Sequence, residues 1–173
     1  TAEKVDLRSK QTSGGADYLL VNPKGAVPAL MLKDCAVLTE VPAVVQFLAD
    51  LVPEKQLAPL PGSFERYRLM EWLNYISSEV HKGFSPLFNR ASSTEARTAA
   101  VSNLGVRFGH LVRSLEGRDY LMGDRFTVAD AYLFTVLNWC GFSDIDLSPW
   151  PVLQAYQSRV AARPAVQQAL RAE

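Results

Sequence analysis

The reading of the fold turns on Asn22-Pro23-Lys24-Gly25-Ala26-Val27-Pro28-Ala29-Leu30. Pro23 and Gly25 are turn residues, proline because its φ is preset and glycine because it accepts a positive φ. Pro28 stands just ahead of the apolar run Ala29-Leu30-Met31-Leu32. A proline has no N–H to give to a sheet, so it opens a strand rather than occupying its middle. The Val27–Pro28 bond is either trans, the commoner form before a strand, or cis, which marks a tight turn. The cis form is the expectation here, with the N–H and C=O of Val27 turned outward. A small peptide can pair with such groups as an added strand.

Outward from this stretch, Lys33-Asp34-Cys35 is a turn and Ala36-Val37-Leu38 a second strand, so the two make a hairpin. Thr39-Glu40-Val41-Pro42 then starts a helix, with Thr39 as its cap, Glu40 in the positive first turn and Pro42 where a proline is tolerated. That helix runs to about Val52, and Val44, Val45, Leu48, Leu51 and Val52 form its apolar face. Upstream, residues 1–7 read as a short strand, residues 10–15 as a polar loop and residues 17–21 as one helical turn.

Pro53, Pro59, Pro61 and Gly62 punctuate the best domain boundary in the chain. Residues 1–55 therefore form one domain and residues 62–173 another. The second is helical throughout. Ser63 caps its first helix, and Leu69, Leu73, Ile76, Val80 and Phe84 give that helix one apolar stripe. Thr94 to Leu115 is a second helix with Val101, Leu104, Phe108, Leu111 and Leu115 as its stripe. Thr127 to Cys140 is apolar nearly all round and reads as the buried centre, opened by the capping box Thr127-Val128-Ala129-Asp130. Two further helices follow, from Trp150 and from Pro164.

Composition narrows the function. The 173 residues hold 18 Lys plus Arg and 18 Asp plus Glu, a net charge of zero. No basic patch points to nucleic acid as a partner, and no apolar run is long enough for a membrane span. His81 and His110 lie far from any second histidine or cysteine, so no metal is expected. Cys35 and Cys140 are widely separated, which fits a reducing, cytoplasmic compartment better than a disulfide framework. Cys35 reads as a surface thiol and Cys140 as a small core residue.

Several separated motifs carry a resemblance. Asn-Pro-Lys-Gly-x-Val-Pro-Ala-Leu at 22–30, Leu38-Thr39-Glu40, Gln46-Phe47-Leu48-Ala49-Asp50, residues 71–76, His81-Lys82-Gly83-Phe84 and residues 123–132 together resemble the bacterial beta-class glutathione S-transferases. The likeness spans nearly the whole chain. It implies an α/β thioredoxin-like N-terminal domain followed by an all-α helical domain. In that pattern a strand and a helix precede the strand at Val5, so the first strand here is expected to lack its partner. The family's main catalytic residue is expected in that unit, upstream of Thr1.

The same resemblance implies the site. Glutathione is the co-substrate, a small hydrophobic electrophile the second substrate, and a homodimer the assembly, with the helices from Glu40 and Ser63 at its contact. Lys10, Val27, Glu40 and Val41 match positions that hold the tripeptide, with the Val27 backbone facing the interdomain cleft. Val41 stands where Gly or Ser is expected, so only its N–H serves, and Ala26 replaces a larger side chain. Asn74, Ser78 and His81 fall on one face at helical spacing and match positions at the thiol. A thiolate is the nucleophile, and donors aimed at sulfur stabilise it; His81 assists and can move the proton. Tyr75, Phe84, Phe88 and Trp139 are candidates for the electrophile pocket. The activity implied is conjugation, with dehalogenation or peroxidase activity as extensions. The alternative is a non-catalytic glutathione-binding or stress protein on the same fold.

Overall fold

The computed structural model describes residues 2–172. The chain divides into two compact units that meet between Leu51 and Val52. The first unit thus ends at Leu51 rather than at residue 55, and the proline-rich stretch belongs to the second. The reason is hydrogen bonding: Leu57 C=O accepts from Val128 N at 2.9 Å, and Arg125 donates to Gln56.

In the first unit, β1 (Val5–Asp6) pairs antiparallel with β2 (Gln11–Thr12), in the register Val5 opposite Thr12. This corrects two expectations. Residues 10–15 are not all loop, and the strand at Val5 has a partner. Lys10 makes the reversal possible by taking φ +59°, a left-handed conformation that is uncommon outside glycine. Asp17 accepts from Leu19 N and starts the single turn Tyr18–Leu20. Next, β3 (Ala29–Met31) pairs with β4 (Val37–Thr39) as the expected hairpin, Leu30 opposite Leu38.

Helix α1 spans Val41–Asp50. Its cap position is Glu40 at φ +70°, not Thr39. Both side chains turn to Lys24, whose ammonium donates to Thr39 Oγ1 at 2.7 Å and pairs with the Glu40 carboxylate. Val44 and Ala49 are the buried residues of α1, whereas Leu48 and Leu51 of the expected apolar face are exposed.

The second unit is built from α2 (Phe64–Tyr75), a π-helical turn (Ile76–His81), α3 (Ser85–Phe88), α4 (Thr94–Leu115), α5 (Val128–Phe142), α6 (Pro151–Ala161) and α7 (Pro164–Ala172). Ser63 Oγ accepts from Arg66 N at 3.1 Å, as a cap should. The stripe Leu69, Leu73, Ile76, Val80 and Phe84 is fully buried. On α4 the buried stripe starts at Ala100, and Val101 is 41% exposed, which corrects its place in the core. Either residue is compatible with Leu104, one four positions before it and the other three.

Helix α5 is buried on most of its surface, from Val128 to Cys140. Its first turn closes on Asp130, itself fully buried. One carboxylate oxygen accepts from Thr127 N at 2.8 Å and Thr127 Oγ1 at 2.9 Å. The other accepts from Leu121 N at 2.9 Å and Tyr156 O–H at 3.1 Å. The expected capping box is therefore also a tie between α5, α6 and the loop before α5. Among the described residues no helix is long and apolar enough to cross a membrane, and no group of three or more His, Cys, Asp or Glu is gathered for a metal.

Candidate active site

The Asn22–Leu30 stretch is held by side chains that grip its carbonyls. Lys10 Nζ donates to Gly25 C=O at 2.8 Å. Tyr18 O–H and Asn22 Nδ2 both donate to Ala26 C=O at 2.7 Å. Asn22 is almost fully buried and also takes Lys24 N at 3.2 Å. Gly25, at φ +61°, lies so close to Lys10 and Leu19 that a Cβ there would meet both within 3.2 Å. The Val27–Pro28 bond is cis, as expected. Val27 is 47% exposed, and among the described residues its N–H and C=O have no hydrogen-bond partner. Such a pair of open groups accepts an extended peptide backbone.

One further open backbone group lies in this unit, along with two charged side chains that already have a partner. Val41 N–H belongs to the first turn of α1, where no preceding helical carbonyl can take it. The Glu40 carboxylate is exposed, with Lys24 as its ion pair. Lys10, half-buried, has used one of its ammonium donors on Gly25.

In the second unit His81 parts from the other two residues predicted for the thiol end. Asn74 and Ser78 are exposed, and Ser78 Oγ donates back to Asn74 C=O at 3.0 Å. His81 is half-buried and turns to α5. Its Nδ1 lies 2.7 Å from Tyr132 O–H, and its ring meets Trp139 edge to face, with centroids 4.6 Å apart. The cause is the π turn, in which Lys82 N bonds to Ser77 C=O five residues back. The wider turn makes side chains after Ile76 lag behind regular helical spacing, so His81 no longer sits over Asn74 as it would on an unbroken α-helix.

Burial pushes the His81 pKa below the ordinary imidazole value, and the neighbouring Lys82 charge adds to this. The ring is therefore neutral at neutral pH. A neutral imidazole has one donor and one acceptor. With Nδ1 engaged by Tyr132, Nε2 is the nitrogen left to a ligand.

Of the four aromatic pocket candidates, three converge. Phe84 meets Trp139 at 5.7 Å and Phe88 at 6.1 Å, and Phe88 meets Trp139 at 5.4 Å between centroids. Phe84 is fully buried, while Phe88 is 51% exposed and offers its ring to solvent. Tyr75 lies elsewhere, against Trp72 and His110, with its hydroxyl on Arg107 C=O. Cys35 is exposed and Cys140 buried, the latter with its thiol pushed up to about 12 by burial. Sequence reasoning missed Tyr132, which lies 51 residues from His81; its spacing of seven from Trp139, two turns of one helix, was the available signal.

Residues 75–164 match the family model "Glutathione S-transferase, C-terminal domain". Over its whole length the chain is 44% identical to glutathione S-transferase GstA of Escherichia coli O157:H7, covering 86% of that protein. The chain belongs to the glutathione S-transferase family. A solved bacterial transferase, BphK in a ternary complex, is similar at 60% identity and a TM-score of 0.97, over 98% of this chain and 85% of that one. The beta-class transferase of Sphingomonas chungbukensis is similar at 45% identity and a TM-score of 0.96, over 99% and 85%. With these beta-class relatives the chain shares the thioredoxin-like and helical parts of the fold, and glutathione is its co-substrate.

Proposed function

We propose that the protein conjugates reduced glutathione to small hydrophobic electrophiles, with Lys10, Val27, Glu40 and Val41 holding the tripeptide and His81, Asn74 and Ser78 serving its thiol. The observation that carries this reading is the open backbone of Val27, exposed and unpaired beside a rigidly held turn. It offers the cysteinyl main chain one donor and one acceptor. Val41 N–H takes a carboxylate at the helix start, Glu40 takes the γ-glutamyl ammonium, and Lys10 takes the far carboxylate.

In the reaction the thiol gives up its proton to solvent water and the thiolate attacks the electrophilic carbon. The carbon–sulfur bond forms as the leaving group departs with its electron pair, so a chlorinated substrate releases chloride. Neutral His81 contributes a hydrogen bond from Nε2 to the sulfur. The exposed face of Phe88, backed by Trp139, supplies an apolar seat for the electrophile. Glutathione-dependent dehalogenation, in which the thiolate displaces halide, and peroxide reduction, in which two glutathione thiols supply two electrons and end as the disulfide, use the same thiolate and extend the substrate range.

The protein works as a homodimer. Leu48 and Leu51 in the first unit, and Phe64, Tyr67 and Met70 on α2, are exposed apolar side chains that an isolated chain gains nothing by presenting. A cytoplasmic location accords with two free cysteines.

Two variants test the assignment with a chlorinated nitrobenzene as electrophile. His81→Ala lowers kcat by about ten- to a hundredfold, the loss of one hydrogen bond to a charged group, and leaves the glutathione KM nearly unchanged. Glu40→Ala does the reverse and raises that KM. Wild-type turnover in folded His81→Ala overturns the role of His81.

A further inference from the structure

The His81 ring is held by two side chains of α5. Trp139 fixes the plane of the ring, edge to face at 90°. Tyr132, only 5% exposed, brings its hydroxyl to Nδ1 at 2.7 Å. Among the described residues Nε2 has no hydrogen-bond partner. Between a phenol and a neutral imidazole, the phenol is the more acidic donor and the imidazole nitrogen the more basic acceptor. The bond therefore runs from Tyr132 O–H to Nδ1, and the imidazole proton stands on Nε2.

We propose that Tyr132 is a positioning residue that fixes His81 as the Nε2–H tautomer, so that the ring presents a donor, not a lone pair, to the glutathione sulfur. The inference rests on the proposed role of His81. A donor stabilises a thiolate, whereas a lone pair at the same place repels it. A histidine free to exchange tautomers spends part of its time in the wrong form. The partner of a histidine's second nitrogen sets which form is present, and a residue 51 positions away supplies that partner here.

The test is Tyr132→Phe, which removes the hydroxyl and keeps the buried ring. Nitrogen-15 NMR of the histidine side chains reads the tautomer directly. Wild-type His81 shows the proton on Nε2, and Tyr132→Phe shows a mixture. Conjugation kcat falls about three- to tenfold, the loss of one neutral hydrogen bond, while the glutathione KM stays within twofold. In a His81→Ala background the same substitution has no further effect on kcat.

A wild-type proton on Nδ1, or an unchanged tautomer in Tyr132→Phe, overturns the proposal. So does a kcat loss of equal size in the His81→Ala background, since Tyr132 then acts by another route. Wild-type turnover in His81→Ala alone overturns the role of His81 instead, and the tautomer measurement still decides whether Tyr132 sets the ring.

Discussion

Among the described residues the first unit buries Tyr18, Val44 and Ala49 as its apolar centre, whereas the second buries whole stripes from α2, α4, α5 and α6. The first unit compensates with polar clasps. Lys10, Tyr18 and Asn22 grip the carbonyls of Gly25 and Ala26, and Lys24 ties Thr39 and Glu40. The second unit holds side chains in place by packing around them. The two designs suit two tasks. A unit that binds a peptide by its main chain must keep backbone groups out of its own sheet, so something other than a sheet must hold the loop. A unit that presents a ring in a set orientation needs a dense surround, because packed side chains occupy single rotamers.

The largest effect is expected at Asp130, the one buried carboxylate among the described residues of the helical unit. Asp130→Ala leaves Thr127 N, Thr127 Oγ1 and Leu121 N without their acceptor and leaves the Tyr156 hydroxyl only the backbone carbonyl of residue 130, at 3.3 Å. Lost capping and buried unsatisfied donors together cost about 3–5 kcal/mol, read as a shift of the urea midpoint. A cost below about 1 kcal/mol would mean that packing alone holds the helical unit and that this carboxylate is incidental.

The matching test in the first unit is Asn22→Ala. Ala26 C=O keeps Tyr18 but loses Asn22, and Lys24 N loses its acceptor. The cost is about 1–3 kcal/mol, and the glutathione KM rises as the Val27 segment loses its hold. A loss of stability with an unchanged KM would separate the clasp from the binding surface and undo the link drawn between them.

The legible parts of this molecule are those in which local chemistry and tertiary fate coincide. The Asn22–Leu30 stretch announced its turn through Pro23, Gly25 and Pro28, and the capping box announced α5, because both are specified by neighbours in sequence. The stripe from Leu69 to Phe84 was readable because steps of four and three residues survive a wider turn. That same tolerance hid the π turn: nothing in Ile76–His81 forbids a regular helix, so Asn74, Ser78 and His81 read as one face although the structure turns His81 away from the other two. Size misled on α4, where larger Val101 read as core and smaller Ala100 is buried. Leu48 and Leu51 read as core because periodicity shows which face is apolar, not what covers it. The contact of His81 with Tyr132 has no signature in the sequence around His81, and only the seven-residue spacing of Tyr132 and Trp139 on α5 hints at it.

The smallest expected effect concerns acid. Burial first, and then the Lys82 charge, set the His81 pKa in the folded protein below its ordinary value of 6.5. Unfolding releases the ring to water, where it takes a proton more readily. Below about pH 6.5 the unfolded chain therefore binds a proton that the folded chain refuses, and stability falls as the pH drops toward the folded pKa. Above the ordinary value both states are neutral and the contribution is flat. His81→Gln removes the titration, so the stability of the wild type relative to this variant should decline between neutral pH and pH 5. Carboxylates elsewhere titrate in both proteins and cancel in the difference. A difference that stays constant over that range would mean that the ring is as free to charge in the fold as in water. His81 would then face solvent, and the dense surround that distinguishes the helical unit would not reach the residue proposed to serve the thiol.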